Sequence, residues 1–581
     1  MSSIFNSARK LIRRLSVFQA TNKFAPLATP SSPFRTTEGP QMFLKRFLGA
    51  VTRNPSPDLN QYDEWFAFTR GRFLCDEAKE ISRRHVTFDM KAAGSKHCVH
   101  VQKFPDGMFN KVFLMTMEDG KEVVVKIPNP NAGQAHFTTA SEVATMEFAR
   151  NVLENPVPKV LAWSSRAKET EVGAEYIIME KVTGIPLEDV WSVMDLEGQT
   201  SIIQTIGEYQ KSWMSTTFNQ YGSLYFSKDL EDGKSVTYTN SNGDEVVDHQ
   251  FSIGPTVSRQ SNDHGRADIS FDRGPWSTVE DYMLAIRMRE TTCIQQMEQL
   301  PKSPLTLPGP YVPTRARKLA ALKIDSQLSK YLIPTDSSIT SSHLWHSDLH
   351  NQNILVNPDD PTEITGIIDW QMIELAPLFT NAKMPEFLSY EGPESDEIQL
   401  PEYPDDSEMD HVGKQSARVL WVNMLLAAYF RKMVSIRMPA LYRSIQFQRT
   451  SSFRLLTYAR NLLVEGETVY LSIVANELES TWPSVPGFQL HGSPPFPVQF
   501  SAEEREEIEN DVANWNHGVE YLSGLEQSIG VDLWTERGLV HPSKYEEIKK
   551  VLGEAKEKAL REFATTEVQR KALVEGWPFD D

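Results

Sequence analysis

Three side chains past the middle of the chain are of types that do chemistry: Asp348, Asn353 and Asp369. The first two lie five apart in "HSDLHNQNILV" (346–356), and the third follows "GII" (366–368). The runs "ILV" (354–356) and "GII" read as strands joined by the turn "NPDDPTE". Such a hairpin sets Asn353 beside Asp369. One amide oxygen and one carboxylate form an oxygen-only pair, which suits Mg²⁺ completed by phosphate oxygens. Asp348 stays outside that pair, free to accept a proton from a hydroxyl nucleophile. Asp and Asn in loops also build ordinary turns. The D-x-x-x-x-N spacing, the hairpin and a second Asp together form a more specific pattern than any one of them.

A second cluster lies upstream. The strand "EVVVKI" (122–127) carries Lys126, and Glu142 follows sixteen residues on in a helical segment. A strand Lys paired with a helix Glu can hold α- and β-phosphates. Glu147 competes for the Lys. It is five residues from Glu142, about 140° round the helix, so the two cannot both face Lys126, and Glu142 is preferred. "PDGMFNKVF" (105–113) holds Gly107 in a turn that either lays backbone N–H groups over phosphates or is an ordinary turn.

The elements that must position these groups can be read from periodicity. "KVFLMTM-EDGK-EVVVKI" (111–127) predicts two strands about a tight turn at Asp119-Gly120. "TTASEVATMEFARNVL" (138–153) predicts a helix with a Ser or Thr cap. "PVPKVLAWS" (156–164) and "AEYIIMEKV" (174–182) add strands. The chain then turns largely helical, with a hairpin signal at Asn242-Gly243 and a helix near 277–300. Residues 391–410 hold nine acids among Pro and Gly, the pattern of a solvated loop.

Composition narrows the classes. The 581 residues exceed a typical single domain, and 40% apolar with 24% charged residues is a globular balance. A net charge of −19 argues against general nucleic-acid binding, which needs clustered Lys and Arg. Cys75, Cys98 and Cys293 are too scattered for a zinc site or a disulfide scaffold. No run of 18 apolar residues occurs; "VLWVNMLLAAYF" (419–430) is short for a membrane span and reads as a buried helix. The first 37 residues carry Arg9, Lys10, Arg13, Arg14, Lys23 and Arg35 and no acid. On a helix the bases oppose Ile4, Phe5, Ala8, Leu11, Ile12, Leu15 and Phe18, the pattern of a mitochondrial transit peptide. Residues 1–45 are therefore expected to be a transit peptide and linker.

"HSDLHNQNILV" with "GIIDWQ" resembles the aminoglycoside phosphotransferase and choline kinase branch of the protein-kinase-like fold. Lys126, Glu142 and "YIIMEKVTGIPL" (176–187) fit that branch's small lobe and hinge. The flanks, including "TRGRFLCDEAKEISRRHVTFDM" (69–90) and "FSIGPTVS" (251–258), are similar to the fungal altered-inheritance-of-mitochondria protein nine group. The resemblance implies an α+β, two-lobe fold: a β-rich N-lobe at 98–180 and a large helical C-lobe at 181–500. An N-terminal helical extension (46–97) and a C-terminal helical segment (501–581) would flank it.

It further implies an ATP- and Mg-dependent phosphotransferase that acts on a hydroxyl of a small molecule in mitochondria. Asp348 and His346 would be the catalytic pair, His346 bracing the loop. Asn353 and Asp369 would hold Mg²⁺, and Lys126, oriented by Glu142, the phosphates. Gly107 would lie in the phosphate loop, and main-chain groups from Glu180 to Val182 would take the adenine. The expected partners are ATP and a small-molecule acceptor, with no nucleic acid and no membrane span. The acidic run 391–410 would favour a cationic acceptor.

The chain departs from the branch at Ser347, where Gly is usual, at Asn351-Gln352 for Pro-Gly, and in its Gly-poor phosphate loop. These departures leave a second reading, a nucleotide-binding pseudokinase-like scaffold. Absence of H-R-D, D-F-G and A-P-E disfavours a Ser/Thr protein kinase.

Overall fold

The structure is a computed structural model and describes residues 51–53, 63–94, 98–303, 311–390, 399–530 and 538–580. The expected transit peptide lies outside these residues.

The sheet that carries Lys126 has six antiparallel strands. Their order is Val51–Arg53, Cys98–Lys103, Asn110–Met117, Glu122–Pro128, Tyr176–Glu180 and Val160–Ser164. The turn at Gly120 has φ +80°, a conformation that glycine adopts without Cβ strain. Strand side chains alternate between faces. Phe113, Met115, Val125 and Ile127 therefore share one face, and Val124, Lys126, Ile177 and Met179 the other, consistent with the pairs Lys126↔Ile177 and Val124↔Met179. The helix Phe137–Asn151 packs Val143, Ala144 and Phe148 against this second face. No Ser or Thr caps that helix. The Glu175 carboxylate sits at its N-terminus instead, accepting from His136 N–H (2.7 Å) and Thr139 Oγ1 (2.5 Å), where the helix dipole favours an anion.

The other face is covered by the N-terminal extension expected at 46–97. The described part holds only short helices (Asp63–Phe66, Glu77–Ser82, Met90–Gly94), an edge strand of the main sheet and the strand Arg72–Phe73. Trp65, Phe66, Phe88 and Met90 complete the core under Phe113. Two buried lysines fasten it. Lys103 Nζ donates to Glu64 O (2.8 Å) and Ala67 O (3.1 Å), and Lys111 Nζ to Ala67 O (3.2 Å), serving carbonyls at the end of a short helix. Both ammoniums lie near the Asp106 carboxylate, and burial pulls Lys111 down to about 8.

The C-terminal segment forms helices Ala502–Ile529, Tyr545–Phe563 and Glu567–Gly576, and its strand Leu539–Val540 pairs with Arg72–Phe73. Asp580 closes the clasp. Its carboxylate accepts from Asp76 N–H (2.8 Å) and Glu77 N–H (3.0 Å), and its own N–H donates to Leu74 O (2.8 Å).

In the large lobe, Ile354–Val356 pairs with Ile364–Ile367 on one side and with Ile185–Pro186 on the other. Gly184 allows that close approach: a Cβ there would stand 2.5 Å from Thr365 Oγ1 and 2.9 Å from Val356 O. The hairpin about Asn242-Gly243 joins Val236–Thr239 to Glu245–Asp248. The run 419–430 belongs to a longer helix, His411–Arg437. Among the described residues this is the one helix that passes a membrane-span test of length and hydropathy. Leu426, Phe430, Met433 and Val434 sit in the large-lobe core.

Candidate active site

The hairpin sets the frame. Ile354 pairs with Ile367, and Ile368 N–H donates to Asn353 O (3.0 Å), so Asn353 and Asp369 occupy adjacent positions across the turn. The Asn353 amide nitrogen donates to Asp348 O (3.0 Å), which leaves its Oδ1 as the acceptor end. Asp369 has φ +64°, a left-handed conformation that Asp tolerates better than most residues. The preceding residue, Ile368, is held at both its N–H and its carbonyl, because His346 Nε2 also meets Ile368 O at 3.0 Å.

That contact defines the role of His346. It is buried, packed edge-on to Trp370 with ring centroids 4.7 Å apart, and stacked near Trp213. Burial lowers its pKa, and the neutral ring with Nε2–H donates to the Ile368 carbonyl. His346 thus braces the residue that precedes Asp369.

Lys126 joins the two clusters. Its Nζ donates to Glu142 Oε1 (2.6 Å) and to Asp369 Oδ1 (2.7 Å). One ammonium therefore ties sheet, helix and hairpin together. Glu147 points elsewhere and accepts from Asn151 Nδ2 at 2.7 Å. Burial opposes the charge on Lys126, but the Asp369 and Glu142 carboxylates hold its pKa above the ordinary value. Burial likewise works against the Asp369 anion, and Lys126 brings its carboxyl below the usual range. Glu142 is pushed up by burial, only partly offset by Lys126. The shared ammonium thus favours the anion on Asp369, whose side chain is 30% exposed against 6% for Glu142.

Asp348 is the open carboxylate, its side chain 44% exposed. Beside it, His350 Nδ1 accepts from Gln352 N–H (3.2 Å), so Nε2 carries the ring proton of the neutral form and faces Asp348 Oδ2 at 3.7 Å. With that tautomer the 3.1 Å approach of Asn353 Nδ2 to Nε2 is a contact of two donors and not a hydrogen bond. Ser347 is exposed and stays out of the left-handed region, so the missing glycine strains nothing. Asn351 and Gln352 bind the segment after the hinge: Asn351 O accepts from Glu188 N–H (3.2 Å), and Gln352 Nε2 donates to Glu188 Oε2 (2.6 Å).

Two expected nucleotide contacts are otherwise engaged. Gly107 N–H donates to Asn110 O at 3.1 Å, closing a tight turn, so it does not present that N–H to a phosphate. Glu180 N–H donates to Lys159 O (3.0 Å), and its carboxylate meets Arg150 and Lys159 N–H. Val182 packs over Gly366, where a Cβ would meet its Cγ1 at 2.7 Å, joining the hinge to the hairpin.

Sequence reasoning missed how the loop 105–113 meets the large lobe. Asn110 Nδ2 donates to Gln371 Oε1 (2.6 Å), and the Arg259 guanidinium stacks on Phe109 at 3.1 Å from the ring centroid. Polar side chains adjoining the metal-type motif, such as Gln371, were the only signal. The described part of the acidic run turns to the helix His411–Arg437: Trp421 Nε1 donates to Pro401 O, and Asp410 caps the helix.

The donor set fits a hard divalent cation, since Asn353 Oδ1 and the Asp369 carboxylate are both oxygens at adjacent positions of the hairpin. Among the described residues no cluster of three His, Cys, Asp or Glu forms a metal site, so other ligands would be phosphate oxygens and water.

Residues 100–380 match the profile of the phosphotransferase enzyme family. The chain carries a phosphotransferase-family domain. That domain holds every site residue named above and has the protein-kinase-like fold. Over a longer span the chain is similar to a subtelomeric hrmA-associated cluster protein of Aspergillus fumigatus, 27% identical over 520 residues, 84% of this chain and 97% of the relative. It is also similar to altered inheritance of mitochondria protein 9, mitochondrial, of Yarrowia lipolytica, 23% identical over 496 residues, 80% and 83% of the two chains. Solved structures similar to the phosphotransferase domain include a putative fructosamine-3-kinase from Thermobifida fusca, 12% identical with TM-score 0.31, over 66% of this chain and 96% of that one. At that TM-score no residue is equated between the two.

Proposed function

We propose that this chain is an ATP- and Mg²⁺-dependent kinase that transfers the γ-phosphate to a hydroxyl of a small molecule in mitochondria. The observation that carries the reading is Lys126 Nζ held between Glu142 (2.6 Å) and Asp369 (2.7 Å). An ammonium so fixed is pre-oriented toward nucleotide phosphates, and catalysis of phosphoryl transfer rests chiefly on positioning and charge neutralisation. Mg²⁺ held by Asn353 and Asp369 would neutralise phosphate charge. Asp348 accepts the proton of the attacking hydroxyl, and His350 beside it orients the carboxylate. His346 keeps Asp369 in place through the Ile368 carbonyl. With the Glu180 N–H engaged, the remaining main-chain groups up to Val182 would border the adenine. The mitochondrial setting is supported by the basic, acid-free N-terminus and by the names of relatives such as the Yarrowia lipolytica protein.

The scaffold reading is favoured by one feature: the loop N–H of Gly107 is spent within its own turn. The two readings separate in one assay. Full-length protein is given γ-labelled ATP, Mg²⁺ and a small-molecule extract, beside Asp348→Asn. A kinase transfers label to a small molecule, and Asp348→Asn loses transfer at least a hundredfold while still binding Mg·ATP. Equal residual labelling by both proteins favours the scaffold.

A further inference from the structure

In the large lobe, two basic side chains lie without a carboxylate to pair with. Lys383 follows the short helix Leu378–Asn381 and is half-buried. Among the described residues its ammonium makes no hydrogen bond and no ion pair, while Asp348, Arg460 and Glu386 lie within electrostatic range. Its backbone is tightly fixed. Gln448 Nε2 donates to Ala382 O (2.6 Å) and Phe379 O (3.0 Å), and Asn381 Nδ2 to Glu374 O (3.0 Å).

Arg460 is also half-buried and bonds only neutral oxygens: Gln260 Oε1 (3.1 Å) and Tyr282 Oη (3.0 Å). Tyr282 in turn donates to Glu374 Oε2 (3.1 Å), and Glu374 Oε1 accepts from Thr256 Oγ1 (2.6 Å). One frame, Tyr282–Glu374–Asn381, therefore holds the Arg460 guanidinium and the backbone two residues before Lys383. Desolvation lowers the Lys383 pKa, with Arg460 adding to it and Glu386 and Asp348 opposing, so the ammonium sits where its charge is poorly compensated. Taking a cation out of water without a partner is unfavourable. A ligand anion would supply that partner.

We propose that Lys383 and Arg460 form an anion subsite for the acceptor, holding its carboxylate or phosphate while its hydroxyl lies at Asp348. This deepens the kinase reading and rests on Asp348 marking the acceptor side. It replaces the cationic acceptor expected from residues 391–410, whose described part packs on another helix. A hydroxy acid or a phosphorylated alcohol is then the substrate class.

The test needs no turnover. Full-length protein with Mg·ADP, which shields Lys126, is treated with pyridoxal 5′-phosphate. Its aldehyde condenses with a lysine amine, releasing water, and borohydride reduces the imine to a stable secondary amine read by peptide mass spectrometry. The phosphate of the probe should seat on Arg460 and steer the aldehyde to Lys383. The expected result is labelling of Lys383 at least fivefold above exposed Lys121 and Lys550. Excess inorganic phosphate or malonate should protect it, and the more effective competitor tells phosphate from carboxylate recognition; cationic glucosamine should not protect. Arg460→Met should reduce labelling at least fivefold and Arg460→Lys should retain most of it, the latter guarding against misfolding. Labelling of Lys383 no higher than at the exposed lysines, or unaffected by both anions, overturns the subsite. Failure of the kinase reading shows separately, as absence of γ-phosphate transfer with labelling intact.

Discussion

Replacing Lys126 by Met probes the joint between the two lobes. The Lys126 side chain is 8% exposed, and its ammonium serves two carboxylates, Glu142 and Asp369. Removing one member of a buried ion cluster leaves charge without compensation, and such breaks cost about 3–5 kcal/mol. Glu142, 6% exposed, has an alternative: it can take up a proton. Its pKa is already raised by burial and loses its main opposing influence in the variant. A group whose folded-state pKa lies above its unfolded value stabilises the fold at low pH and loses that contribution as pH rises through the folded value. Lys126→Met should therefore be destabilised most at pH 8 and less at pH 5.5. Lys126→Met/Glu142→Gln should recover more than half of the loss at pH 8, since a neutral amide carries no charge to strand. Urea unfolding followed by tryptophan fluorescence at the two pH values measures both effects. Equal stability of the single and double variants at pH 8, or no pH dependence in the single variant, refutes the reasoning.

Trp65→Ala should destabilise the sheet by about 3–5 kcal/mol, because it empties a fully buried site under Phe113; near-wild-type urea unfolding would show that the extension is not part of that core. Asp580→Ala should raise amide exchange of residues 76 and 77 with little change in the large lobe, as it removes the acceptor of both N–H groups. His343 is held neutral by burial, its pKa pulled down to about 4 from 6.5. A histidine so depressed contributes stability present above pH 6.5 and lost as pH falls through 4, up to about 3 kcal/mol. Urea unfolding at pH 7, 5 and 4 should follow that slope, and His343→Gln should flatten it.

Where function depends on local pattern, the chain is legible. The strand "EVVVKI" and the helical segment after it singled out Lys126 and Glu142, and helical spacing showed that Glu142 and Glu147 cannot both face the lysine. The turn between "ILV" and "GII" set Asn353 beside Asp369. Contacts without a local signature stayed hidden. The pairing of Arg72–Phe73 with Leu539–Val540 joins the two ends of the chain, and no periodicity announces a two-residue strand. Short apolar stretches at Trp65–Phe66 read as helix alone, whereas their burial comes from covering a sheet face. Gly107 carried a backbone N–H whose direction no sequence pattern encodes. Lys383 and Arg460 are single bases in unrelated segments, brought together only by the frame around Glu374.

The most direct test of the account is ATP affinity by calorimetry, with and without Mg²⁺, for wild type, Asp348→Asn and Asp369→Asn. The account predicts Mg²⁺-dependent binding in wild type, the same binding in Asp348→Asn, and loss of the Mg²⁺ dependence in Asp369→Asn. Binding that ignores Mg²⁺, or that survives unchanged in Asp369→Asn, contradicts it.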